Sequence, residues 1–226
     1  METTATTIKE RPILFSGEMV RAILAGRKTQ TRRLVKPQPP VDIDELHGFS
    51  LRKRAPYRVE DNETGCILGM GFQDDDDRYY IAKANVGDRL WVRETWVPLD
   101  RDHNVGDSKY AYRADMTRDS EDIRQEYLAA GRDYRWRPSI HMPRCASRIT
   151  LEVTGMRVER VHDITEENAR AEGVESCEFF GKAKSGHPLA PCKTAFAWLW
   201  KTISGPESRD ANPWVWVIEF KREERG

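Results

Sequence analysis

Two short segments carry side chains able to do acid–base and nucleophilic work. The first is Gly26-Arg27-Lys28-Thr29-Gln30-Thr31-Arg32-Arg33, inside a run from Arg27 to Lys36 that holds five basic side chains and no acid. A lysine beside apolar walls loses its proton more readily and can serve as a base. Lys28 would then activate the Thr31 hydroxyl as a nucleophile. Arg32 or Arg33 would hold a phosphate or a developing oxyanion. The second segment is Gly87-Asp88-Arg89-Leu90-Trp91-Val92-Arg93-Glu94-Thr95-Trp96. In a strand, Leu90, Val92, Glu94 and Trp96 share a face, and an acid among large apolar groups needs a basic partner or a raised pKa. Lys28 is the natural candidate for that partner. Each residue also has a plainer role. Glu94 suits a structural salt bridge or a solvent-facing strand, and Lys28 and Thr31 suit contacts to phosphate and backbone without chemistry. Arg32 and Arg33 suit solvated surface.

A third stretch, Tyr134 to Arg144, interleaves Arg135, Arg137 and Arg144 with Trp136 and His141. Single-stranded nucleic acid is held this way, with bases on aromatic rings and guanidinium groups on phosphates. The alternative is a loop that packs its aromatics on the core. His141 suits an acid/base group or a structural histidine. Trp91, Trp214 and Trp216 read as core. The net charge is zero, but the signs are segregated: acids gather at Asp42–Glu45 and Asp74–Asp77, away from the basic runs, so a local positive patch remains available. Cys66, Cys145, Cys177 and Cys192 form no CxxC. His141, Cys145, Cys177, His187 and Cys192 follow no common zinc spacing, so free thiols, no metal and no cofactor are expected.

The elements that must position these groups follow from periodicity. Pro12–Phe15 reads as a short buried strand. Ser16 caps a helix whose apolar stripe is Met19, Val20, Ile23 and Leu24, and Gly26 ends it in the left-handed region. The basic run thus starts at a helix C-terminus, where cations are favoured. Residues 41–77 read as a polar inserted loop. Strands are predicted over Tyr79–Ala84, Arg89–Val97 and Ser108–Ala114, with a helix from Ser120 to Ala130. Two strands follow, turning at Thr154-Gly155. Asp163 or Thr165 caps a short helix ending at Gly173, and residues 175–191 are loop-like. Lys193–Ile203 is an amphipathic helix with Phe196, Leu199, Trp200 and Ile203 inward, and Trp214–Lys221 closes the chain as a strand. Strands and long helices do not alternate regularly, which favours α+β, a small barrel or twisted sheet with peripheral helices, over a doubly wound sheet.

The pattern Gly-x-Lys-x-x-Thr-x-Arg, met by Gly26, Lys28, Thr31 and Arg33, resembles the signature of the ASCH domain. The Gly-Asp-x-Leu-x-Val-x-Glu segment from Gly87 and the late Pro213-Trp214-Val215-Trp216-Val217-Ile218-Glu219-Phe220 block fit the same resemblance. The whole chain is similar to the phage and prophage type of ASCH-like protein. The resemblance implies a PUA-like small mixed β-barrel, one domain over residues 1–226 with insertions at 41–77 and 175–191. It implies a role with RNA, single-stranded nucleic acid or a modified nucleoside. By the same resemblance, hydrolase activity would be amide cleavage on an acylated base or ribonuclease action. In amidohydrolase members a lysine and a threonine of the motif act with a glutamate on a later strand, which implies Lys28, Thr31 and Glu94 here. Arg27, Arg32, Arg33, Lys36, Arg135, Trp136, Arg137, His141 and Arg144 are the expected nucleic-acid contacts. Two other readings use the same residues differently: a non-catalytic reader of RNA or modified DNA, and a phage accessory protein that binds a host protein. The 226 residues suffice to bury a core. With no apolar run of membrane length and no signal-like start, a cytoplasmic location is expected.

Overall fold

The computed structural model describes residues 8–39, 57–60, 67–73, 79–99, 109–115, 125, 128–129, 135–174 and 192–224. The chain is α+β and groups into two compact units, each assembled from separate segments.

The first unit combines residues 1–26, 89–151 and 222–226. Strand β1 (Glu10–Leu14) pairs in parallel with β6 (Arg89–Arg93). Helix α1 (Gly17–Leu24) follows β1; the Ser16 hydroxyl accepts from Met19 N, and Gly26 takes φ 73°, as the sequence predicts. β1 starts two residues earlier than expected, burying Ile13 and leaving Leu14 exposed. The predicted strand Arg89–Val97 is broken. β6 ends at Arg93, and β7 (Trp96–Pro98) pairs instead with β8 (Tyr110–Tyr112). The break falls on Glu94 and Thr95, where Glu94 N donates to Met142 Sδ and Thr95 O accepts from Arg113 N. After β8 the chain turns into a 3-10 helix, Arg113–Asp115. Of the predicted 120–130 helix, the described residues Gln125, Leu128 and Ala129 are helical.

The second unit combines residues 27–88 and 152–221. Here the basic run enters a strand. Gln30–Leu34 forms β2, antiparallel to β10 (Trp214–Arg222), with Thr31 opposite Ile218 and Arg32 opposite Val217. β9 (Thr150–Arg160) starts in the first unit and lies on the other side of β10. The predicted turn at Thr154-Gly155 is absent, because β9 runs straight through it. Its apolar pattern changes face midway: Leu151 and Val153 are buried at odd positions, Met156 and Val158 at even ones. That change mimics a turn in sequence but only moves the polar side chains Arg157 and Glu159 onto the odd face.

The 41–77 segment, read as loop, contributes β3 (Tyr57–Glu60) and β4 (Ile67–Gln73), which form a sheet with β5 (Tyr79–Ile81). Its glycines look like breakers, yet Gly71 admits the facing strand: a Cβ there would lie 2.2 Å from the Tyr80 carbonyl oxygen. None of the sheets of described residues closes into the expected barrel; each is open.

Thr165 caps α2 (Glu166–Ala171), and Gly173 follows at φ 84°. α3 (Cys192–Ser204) buries Cys192, Ala195, Phe196 and Trp200 against Val215 and Val217. Ile203, expected inward, is 55% exposed, one turn beyond the reach of that core. The Glu166 carboxylate accepts from the N–H groups of Cys192 (2.5 Å) and Lys193 (3.1 Å), joining α2 to the start of α3. The expected loop at 175–191 lies outside the described residues. No described helix is long and apolar enough to cross a membrane.

Candidate functional site

Lys28 is 2% exposed and forms a bridge to Glu172 just before β2. Its ammonium donates to Gln30 O (2.9 Å), Glu172 O (2.8 Å) and Glu172 Oε2 (2.7 Å). Those three bonds match the three protons of an ammonium. Burial pulls the Lys28 pKa below the ordinary lysine value, against the pull of Glu172.

Arg32 takes the other Glu172 oxygen with Nη1 (3.0 Å) and reaches Glu159 with Nη2 (2.9 Å). Glu159 also accepts from Arg157 Nε (2.6 Å), and Arg157 bonds Glu219 and Gln30 Oε1 (3.3 Å). Gln30 in turn donates to Asn168 O (2.6 Å). Cations and carboxylates therefore alternate along one line: Lys28, Glu172, Arg32, Glu159, Arg157, Glu219. The line is closed off at Lys28 and reaches solvent at Glu219, whose side chain is 45% exposed. Such pairing is what permits charge inside a core. The Arg32 guanidinium sits 5.6 Å from the Phe196 ring centre, and its Nε is buried with no hydrogen-bond partner among the described residues.

Gln30 and Arg32 share one face of β2, so strand alternation sends Thr31 and Arg33 to the other. Thr31 is buried and Arg33 half-buried, and burial lowers the Arg33 pKa. Arg27 and Lys36, at the ends of the run, are exposed.

Glu94 belongs to the first unit and is 1% exposed. Its carboxylate is held by Arg148, with Nε to Oε1 at 2.9 Å and Nη2 to Oε2 at 3.1 Å. Arg148 also grips Asp115 with Nη1 (2.5 Å) and Nη2 (2.8 Å) and lies 4.0 Å from the Tyr112 ring centre. Burial raises the Glu94 pKa, opposed by Arg148. The expectation of a basic partner or a raised pKa thus holds. The base at Glu94 is Arg148, and the acid at Lys28 is Glu172.

In the third stretch Arg135, Arg137, His141 and Arg144 are exposed and Trp136 is half-buried. Two 3-10 turns, Ser139–His141 and Arg144–Ala146, shape it. Arg137 exchanges backbone hydrogen bonds with Trp96 (2.8 and 3.3 Å) and lies 5.3 Å from its ring centre. Arg144 pairs with Glu10 (3.0 Å).

Sequence reasoning missed Glu172, Glu159, Arg157, Glu219, Arg148 and Asp115. A signal existed for the first four. A basic run bracketed by apolar residues, if folded into a core, requires acids from elsewhere, and Arg157 and Glu159 interrupt an apolar strand. Compared with known proteins, the chain matches no family model, no curated protein and no solved structure.

Proposed function

We propose that this protein is an ASCH-like, PUA-like binder of nucleic acid or of a modified nucleoside, and that its contact surface is the Arg135–Arg144 stretch. One observation carries the reading. Arg135, Arg137, His141 and Arg144 are exposed along a stretch with no acid, whereas Lys28 and Arg32 are committed to buried carboxylates. Exposed cations release counterions when they meet phosphates, so affinity for RNA or single-stranded DNA falls steeply as salt rises. Fluorescence polarisation across a salt series tests this. A flat salt response, or no binding at low salt, removes the reading.

Hydrolase action on an acylated base or on RNA is a second reading. Its support is the buried Lys28, whose pKa burial draws below the ordinary lysine value against the pull of Glu172, three residues before the Thr31 hydroxyl. Release of acetate from acylated cytidine, or RNA cleavage, is the assay. Full activity in Lys28→Ala and Thr31→Ala would remove that mechanism.

A further inference from the structure

We infer that the Arg135–Arg144 stretch grips the sugar–phosphate backbone of its ligand and does not stack its rings on unpaired bases; this rests on the binding reading above and narrows it.

A base that stacks needs a bare ring face. Three described rings of the first unit near this stretch, Trp91, Trp96 and Tyr112, already carry guanidinium groups. Trp91 is buried, with the guanidinium carbons of Arg93 and Arg144 at 4.5 and 6.0 Å from its ring centre. Trp96 is buried under Arg137, and Tyr110 meets it edge-on at 5.5 Å. Tyr112 lies under Arg148. Trp136 packs against Val97. Over Trp91 and Trp96 the outer layer is therefore guanidinium, not indole.

A guanidinium laid on a ring keeps its N–H groups in its own plane, where they meet the paired oxygens of a phosphate. Arg137 is set for this, because its backbone is bonded to Trp96 through both its N–H and its carbonyl. Arg144 is held by Glu10, and both side chains are more than two-fifths exposed. An exposed pair of that kind is weak, so a phosphate can take the place of the carboxylate. Arg148 differs: four carboxylate oxygens from Glu94 and Asp115 surround it, leaving it to the structure.

Two single-stranded DNA probes of equal length, one with bases and one fully abasic, decide the matter. The abasic strand should bind within about threefold of the normal one, since both carry the same phosphates. Arg137→Ala and Arg144→Ala should weaken both probes equally and lower the salt slope by about one each. Trp136→Leu should change the affinities of the two probes by the same factor, because a lost stacking face would weaken only the probe that carries bases. Loss of about tenfold or more on removing the bases, the size expected when bases stack, overturns the inference and leaves the binding reading standing. Failure of both probes at low salt overturns the binding reading itself.

Discussion

The ammonium of Lys28 lies 2.7 Å from Oε2 of Glu172, a residue 144 positions away in the chain, and both side chains are buried. Glu172 also holds Arg32 with its other oxygen. Removing this carboxylate leaves two buried cations short of a partner. Glu172→Ala should cost about 3–5 kcal/mol in a urea titration. Lys28→Met, which removes a buried charge together with its bonds, should cost less. Equal small losses in both variants would mean that water already shares the site.

Glu94 gives a pH dependence of defined sign. Burial holds its carboxyl above the ordinary carboxylate range, with Arg148 pulling the other way. Between the ordinary value and the raised one, the folded state binds more protons than the unfolded state. This group's contribution to stability therefore falls as pH rises through that window and levels above it. Glu94→Gln removes the slope. The unfolding free energy of the variant minus that of the parent should grow from acid pH toward the raised pKa, then stay flat. A difference that shrinks over the same range would show that Arg148 outweighs burial.

Gly155 leaves room for Glu219 to cross β9 toward Arg157. An alanine Cβ there would stand 2.6 Å from Glu219 Oε2. The obstacle is the end of a flexible side chain, so it can swing into solvent at the loss of a partly exposed ion pair. Gly155→Ala should cost about 1 kcal/mol. In a Glu219→Ala background the cost should nearly vanish, which a double-mutant cycle reads directly. A loss of several kcal/mol, unchanged in that background, would put the clash elsewhere.

Gly26 sits at φ 73°, and no atom lies within 4 Å of the place a methyl group would take on its Cα. Space is therefore not the constraint; backbone conformation is. Gly26→Ala should destabilise by about 1–2 kcal/mol, and Gly26→Asn by less, since asparagine tolerates the left-handed region. Thermal unfolding of the two variants ranks them, and equal transition temperatures would contradict the assignment.

The capped ends of α1 and α2, and the strand at 214–222, were legible because caps and apolar spacing are local. What failed had long-range causes. The β6/β7 break comes from a change of pairing partner at Glu94 and Thr95, and no residue there is a breaker. β3 and β4 were hidden because Gly71, suited to close approach, reads as flexible out of context. The burial of Lys28 and Arg32 required acids from elsewhere in the chain, but their apolar flanks could not say which, since the acids come from β9 and the end of α2. The need of Glu94 for a cation could be deduced from desolvation alone; which cation supplied it could not, since Arg148 is 54 residues away.

The Glu166 clamp separates the Lys28–Glu172 pairing from whatever lies between α2 and α3. One carboxylate at Cys192 and Lys193 fastens both helices, so the start of α3 is tied to α2 by a bond whose two ends both lie among the described residues.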